Sequence, residues 1–308
     1  MIILGCGYLG TALARKTLAA GGPVSALTRN AGRAAELRAL GVAPVVVAAL
    51  ASEDWHGLLN PAGEVIVNCV SPAGSGAEGY RHSFVEGGKS VAHWLEKSAK
   101  SGHAPAREAL FTSSTGVYPQ MDGEWVNEAT PEDPAALSEA GTILREAEKS
   151  WHALPRPQVQ RTWVLRLGGL YGPGRHHLLD ALRAGEKTFP GGGEHWVNLL
   201  YLDDAASAIR ACLAASPKIP GGIFNAVDDE PVRKRDLLIW LAEQLGQNSC
   251  ELKFDVTNSP RASHRRSVSG RTPHRRVSSF YLKQSVNWRP LFSSYREGYG
   301  KILALKWD

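Results

Sequence analysis

Three groups of residues in this 308-residue chain have types and spacings that could do chemistry. The first is Gly5-Cys6-Gly7-Tyr8-Leu9-Gly10, a G-x-G-x-x-G run between the apolar Ile2-Ile3-Leu4 and an alanine-rich stretch. Between a strand and a helix, Gly5 permits the tight turn, Gly7 lets backbone approach a pyrophosphate, and Gly10 lets the helix lie against the strand. The backbone of Tyr8 and Leu9 then sits at a helix N-terminus, where free N–H donors and a partial positive charge favour phosphate. The second group is Thr28-Arg29-Asn30, with Arg33 just beyond. Sites for an unphosphorylated dinucleotide usually carry a carboxylate at that strand end, for the ribose 2′-hydroxyl. The planar donor fork of an arginine suits a 2′-phosphate instead, so the expected cofactor is NADP(H) rather than NAD(H).

The third group is residues 261–276, which hold six arginines and no acid. The formal net charge is +5, so the rest of the chain sits near −1 and the basicity is local. Such a cluster reads as a diphosphate clamp through bidentate arginine, as a phosphate-neutralising nucleic-acid surface, as a phosphorylation-prone loop around Ser278, or as a solvated basic loop. No aromatic residue lies among these arginines, which removes a single-strand stacking platform, and no nucleic-acid partner is expected. The four cysteines (Cys6, Cys69, Cys212, Cys250) are scattered, without a C-x-x-C pair, and His176-His177 alone do not make a ligand set, so no metal site is expected. No apolar run approaches the roughly 18 residues of a membrane span. A strand beginning at residue 2 leaves no room for a secretory leader. The expectation is a cytoplasmic protein.

The elements that must position these residues alternate. Short β-branched runs at 2–4, 24–28, 44–48, 64–69, 108–114 and 160–167 predict strands, and 8–20, 31–40, 78–99 and 138–153 predict helices. That alternation predicts an α/β fold: a Rossmann-like doubly wound parallel sheet with a small C-terminal substrate lobe. Residues 1–168 form the nucleotide-binding domain in this reading. Residues 169–308 mainly form the lobe, interleaved with it, with helices near 203–215, 233–245 and 293–305 and a short strand near 222–225.

Five segments, 5-GCGYLG-10, 111-FTSSTGVYP-119, 166-RLGGLYGPGR-175, 201-YLDDAASAI-209 and 223-IFNAVDDEP-231, occur in this order across nearly the whole chain. Together they resemble the extended short-chain dehydrogenase/reductase superfamily, in its NAD-dependent epimerase/dehydratase group acting on nucleotide sugars. The glycine turn and the departures below resemble its atypical branch. The resemblance implies that Cys69, Val70 and Ser71, after the fourth strand, cover the cofactor and that Gly169 lies by the nicotinamide. It implies that Ser114 holds the reacting substrate oxygen. Arg175, Arg271 and Arg276 become candidates for the substrate diphosphate. Members are monomers or homodimers.

The pattern then breaks. The resemblance implies a Tyr-x-x-x-Lys pair, two residues that share one face of a helix, in which the tyrosine trades a proton as hydride moves. This chain has no such pair: Ala140 and Leu144 fall at its positions. Arg145 comes one residue late, about 100° round the helix. The Asp-Glu of family dehydratases is replaced by Thr115-Gly116, and Leu4 takes the place of the family's first glycine. Tyr118, Glu124, Glu128, His176 and His177 are the remaining proton-carrying candidates, with Glu124 and Glu128 expected in an exposed loop. Two functions stay open: an NADP(H)-dependent oxidoreductase with an unidentified proton donor, and a non-catalytic NADP(H)-binding sensor or partner protein.

Overall fold

The computed structural model describes residues 1–74, 76–154, 157–255 and 273–305. Seven parallel strands make the central sheet: β1 (Ile2–Leu4), β2 (Ser25–Thr28), β3 (Val45–Val47), β4 (Val65–Asn68), β5 (Ala106–Ser114), β6 (Val159–Leu167) and β7 (Gly221–Ala226). Their spatial order is β3-β2-β1-β4-β5-β6-β7. Ile2-Ile3-Leu4 and Val65-Ile66-Val67 are buried without alternation, as strands covered by helices on both faces must be.

The strand order reverses between β1 and β4. Right-handed crossovers therefore lay the helices of the two halves on opposite faces. On one face α1 (Tyr8–Ala19) and α2 (Ala31–Ala39) share a core that includes Leu13, Leu37 and Trp163. On the other, α3 (Gly87–Lys100) and α4 (Glu139–His152) share one that includes Trp94, Ile143 and Trp151. The crevice beyond the carboxyl ends of β1 and β4 is the place where such sheets take ligands. The helix expected over 78–99 is segmented: Gly76–Tyr80, a π-helical turn over Arg81–Glu86, then α3.

A third core belongs to the C-terminal lobe. It joins α5 (His177–Arg183), α7 (Lys234–Gln244) and α9 (Tyr295–Ala304) through Leu179, Leu182, Leu237, Leu241, Tyr299 and Ile302. Between these elements the chain returns to the sheet. α6 (Leu202–Leu213) buries Ile209 and Cys212 in the core of α1, and α8 (Phe280–Val286) adds Leu282 to it. β7 pairs with β6 along its whole length. Short strand pairs stitch the lobe together, among them Trp125–Val126 with Arg276–Val277 and Gly169–Tyr171 with Leu199–Tyr201.

One polar network runs through the interior. The Glu148 carboxylate on α4 accepts from Arg166 Nε at 3.0 Å and Nη2 at 2.8 Å, from Arg145 Nη1 at 2.7 Å and from Ser113 Oγ at 2.6 Å. Arg166 Nη1 donates to the Tyr118 hydroxyl at 2.8 Å, which donates to Asn225 Oδ1 at 3.0 Å. The side chains of Glu148 and Arg166 are 1% and 4% exposed, so each is the other's replacement for water. Truncating Arg166 leaves the buried carboxylate to Arg145 and Ser113 alone, so the loss should stay below the roughly 3–5 kcal/mol of a buried charge with no partner. The Arg166→Met variant should lose up to about that much in urea unfolding, and Glu148→Leu/Arg166→Met should lose less than the sum of the single variants.

Candidate active site

The glycine turn sits at the crevice. Gly5 has φ +74°, and a Cβ there would lie 2.5 Å from Val70 Cα, so backbone conformation and the approach of the 69–71 loop both require glycine. A Cβ on Gly10 would lie 3.0 Å from Ile3 Cγ2, which lets α1 lie close on β1. Gly7 faces open space: a Cβ there would meet only the Gly5 carbonyl, at 3.9 Å. Gly7 is also the N-cap of α1, with no side-chain cap and no acid in the first turn. That leaves a positive helix end beside an open backbone, which fits a pyrophosphate.

Two adjoining cavities share Gly7, Val70 and Ser71. The first, of about 230 Å³, is lined by Thr28, Arg29, Asn30 and Arg33 with Leu27, Ala48 and Leu50. Asn30 caps α2 by accepting the Arg33 N–H at 2.9 Å. Arg33 pairs with Glu36, and Arg29 reaches the Pro72 carbonyl at 3.2 Å from an exposed position. Both guanidinium groups therefore stand on the wall of this cavity, and the residues present fit a dinucleotide.

The second cavity, about 300 Å³, holds Tyr8, Leu9, Cys69, Ser114, Gly169 and Arg175 on its walls, together with Ala140 and Leu144. Ser138 caps α4 by accepting the Gly141 N–H at 3.0 Å. From that cap, positions 140, 144 and 148 fall on one stripe. Ala140 and Leu144 face the cleft, while Glu148 is held by Arg166 below them. Arg145, one residue further on, points the other way and pairs with Glu148 and Glu132. It is therefore not a stand-in for a cleft lysine. Ser114 ends β5, its Oγ accepting the Gly116 N–H at 3.0 Å, which leaves its own proton to donate into the cleft.

Tyr8 does more with its side chain than the glycine motif suggests. Its hydroxyl donates to the Pro173 carbonyl at 3.0 Å, and the Arg175 guanidinium lies 5.5 Å from its ring centre. The nucleotide loop is thus tied to the 172–175 turn, and Arg175 is held at the rim. Burial pushes the Tyr8 phenol up to about 12, against the pull of Arg175. Burial also pushes the Cys6 thiol up to about 12 and raises Cys69 further, so both remain thiols.

The other proton-carrying candidates lie off the cleft. Tyr118 is buried in the Arg166–Asn225 network, and burial raises its phenol above the usual range. His176 pairs with Asp180 at 2.7 Å, and His177 begins α5. Glu124 accepts the Asp122 N–H at 2.9 Å. Glu128 is not in an exposed loop: it is turned in beside Tyr118, where Oε1 accepts the Asn225 N–H at 2.6 Å and Oε2 is buried. Arg271 lies outside the described residues. Arg276 donates to the Gly123 carbonyl at 2.8 Å between the rings of Trp125 and Trp196. Its neighbour Arg275, not singled out in the sequence, is buried and donates to the Thr115 carbonyl at 2.7 Å, next to Ser114. Tyr80 and Phe84 also line the cleft. Their i, i+4 spacing ahead of α3 was the only sequence signal for them.

A family model described as "NAD dependent epimerase/dehydratase family" matches residues 1–226. Protein YeeZ of Escherichia coli (strain K12) is 36% identical over 230 residues, which is 72% of this chain and 75% of that protein. A 3-diazoavenalumate denitrifying reductase of a Streptomyces species is 27% identical over 96% of this chain and 97% of its own length. Among solved structures, the dTDP-glucose 4,6-dehydratase DesIV of Streptomyces venezuelae superposes with a TM-score of 0.78 over 98% of this chain and 96% of that one, at 17% identity.

The environment of Glu128 has a measurable consequence. Burial raises its carboxyl to about 7, above the ordinary value of about 4.3 in an unfolded chain. Between these values the folded state holds a proton that the unfolded state has released, so stability falls as pH rises. Glu128→Gln keeps an acceptor for Asn225 and removes the titration. Urea midpoints of wild type should fall more than those of the variant between pH 5 and pH 8, and parallel curves would refute the buried acid.

Proposed function

Because the chain belongs to the NAD dependent epimerase/dehydratase family, we propose that it is an NADP(H)-dependent oxidoreductase of epimerase, dehydratase or reductase type, acting on a nucleotide sugar or a related carbonyl compound. The observation that carries this reading is the pair of adjoining cavities, one walled by Arg29 and Arg33 and the other by Ser114, Gly169 and Arg175. Residues 1–168 bind the dinucleotide. Residues 169–308 mainly supply the substrate side.

The nicotinamide of a bound cofactor supplies or accepts hydride. The backbone from Gly5 to Gly10 takes the pyrophosphate, with Gly7 allowing contact at backbone distance. Arg29 and Arg33 take the 2′-phosphate. Cys69, Val70 and Ser71 would cover a bound dinucleotide, and Gly169 would lie by its nicotinamide. Ser114 donates its hydroxyl proton to the substrate oxygen. Arg175 takes a substrate phosphate at the mouth. Ala140 and Leu144 carry no ionisable group, so proton movement falls to an unidentified group or to water.

The same two apolar side chains favour a second reading: a protein that binds NADP(H) without turning it over, as a sensor or as support for a partner. Hydride exchange between bound, isotopically labelled NADPH and added carbonyl substrates separates the two. Exchange by the wild type supports the enzyme. Activity only in Ala140→Tyr/Leu144→Lys supports a binding protein built on a lost catalytic site. Cofactor choice is tested by fluorescence titration with NADPH and NADH. A charge-assisted hydrogen bond contributes about 1.5–3 kcal/mol, so Arg29→Ala should weaken NADPH binding by about 10- to 100-fold and leave NADH nearly unchanged. Equal losses for both would remove the 2′-phosphate role.

A further inference from the structure

We propose that Glu53, His56 and His93 form a binding site for one divalent transition-metal ion of the zinc class, separate from the nucleotide cleft. None of the three lines either cavity of the candidate active site. Glu53 and His56 lie in the turn segment between β3 and β4, and His93 projects from α3. One donor atom from each lies within 4.8 Å of the others.

The tautomer of His56 is fixed by its neighbours. The Ser90 hydroxyl donates its single proton to the Ser52 carbonyl at 2.9 Å. Its 3.0 Å contact with His56 Nε2 must then be an Nε2–H donating to Ser90. In the neutral ring, Nδ1 is left as a bare lone pair. The His56 side chain is 5% exposed, and Nδ1 has no hydrogen-bond partner. The charged group it faces is the Glu53 carboxylate, with Oε2 at 4.0 Å. The buried Nδ1 lone pair thus faces a carboxylate oxygen 4.0 Å away with no donor of its own, and a metal ion held between the two would satisfy it.

The surroundings are those of a held ligand. A metal-binding imidazole characteristically donates its other ring N–H to a fixed acceptor, the part Ser90 plays. Trp55 Nε1 braces the turn by donating to the Leu50 carbonyl at 3.2 Å, and Trp94 Nε1 pins it to α3 by donating to the Leu59 carbonyl at 3.0 Å, with the two rings 4.8 Å apart edge-on. Two imidazoles and one carboxylate suit zinc, nickel or copper rather than magnesium or calcium. Bond lengths of about 2.0–2.2 Å require small side-chain rotations of the solvent-facing Glu53 and His93. His93 Nδ1 stands 2.6 Å from Glu53 Oε1, and Lys97 Nζ stands 2.7 Å from Oε2. These two neighbours hold the Glu53 carboxyl low, at about 2. They are also the competitors the ion must displace: the His93 ring must release its contact with Oε1, and the Lys97 ammonium must swing away.

The test uses the full chain without a polyhistidine tag, stripped with chelator, and titrated with Zn2+ by calorimetry and with Co2+ by visible absorption. One equivalent should bind. Loss of a ligand should weaken Zn2+ by at least about tenfold in His93→Ala and in Glu53→Gln, while Lys97→Met should tighten it. Added Zn2+ should raise the unfolding midpoint of wild type and not of His93→Ala, as linkage requires. His93 is 44% exposed on its helix, so its removal leaves the core intact, and NADPH titration of each variant checks the fold. Zn2+ affinity unchanged in His93→Ala, or no saturable binding below about 1 mM, overturns the site.

Discussion

The roll of α4 about its own axis decides what this cleft contains, and the Glu148–Arg166 fork fixes that roll. A buried carboxylate cannot leave its guanidinium without a desolvation penalty of several kcal/mol, so Glu148 must face β6. Residues 140 and 144 precede it by two turns and one turn on the same stripe, and are thereby aimed into the crevice. Arg145 is carried round the helix, where Glu132 and Glu148 take it. The network reaches on through Tyr118 and Asn225 to β7, so helix roll, strand order and the floor of the cleft are coupled.

Around that constraint the glycine-turn side of the crevice is closely fitted, and positions 140 and 144 on its α4 side carry no ionisable group. The glycine turn, the 69–71 loop and the two arginines of the outer cavity are mutually fitted: Val70 occupies the space that any side chain on Gly5 would need. Ser114 retains a proton to donate. Beside it stand an alanine and a leucine.

The lobe is coupled to the nucleotide turn through Tyr8. Its hydroxyl reaches the backbone of the 172–175 turn while its ring carries Arg175, so the cation at the cleft mouth is placed by the nucleotide loop itself. The described arginines of the basic stretch serve differently. Arg275 braces the backbone just after Ser114, and Arg276 is stacked between indoles. Both guanidinium groups are taken up by contacts within the protein.

The local chemistry of the chain was legible in its sequence. The sheet strands and helices α1, α2 and α4 follow from apolar runs and glycine punctuation, both short-range signals. The glycine turn and the missing tyrosine and lysine were readable because fixed spacing on a strand–turn–helix or on one helix face survives folding unchanged. What the sequence could not give depends on contacts between distant segments. Strand pairs of two or three residues, such as Trp125–Val126 with Arg276–Val277, have no periodicity to detect. The inward turn of Glu128 depends on Asn225, 97 residues away. The meeting of Glu53 and His56 with His93 depends on a turn and a helix brought together by two buried tryptophans. Residue types and their local spacing are written in the chain, whereas burial and long-range partners, which set charge states and decide which groups share a site, exist only once the layers have packed.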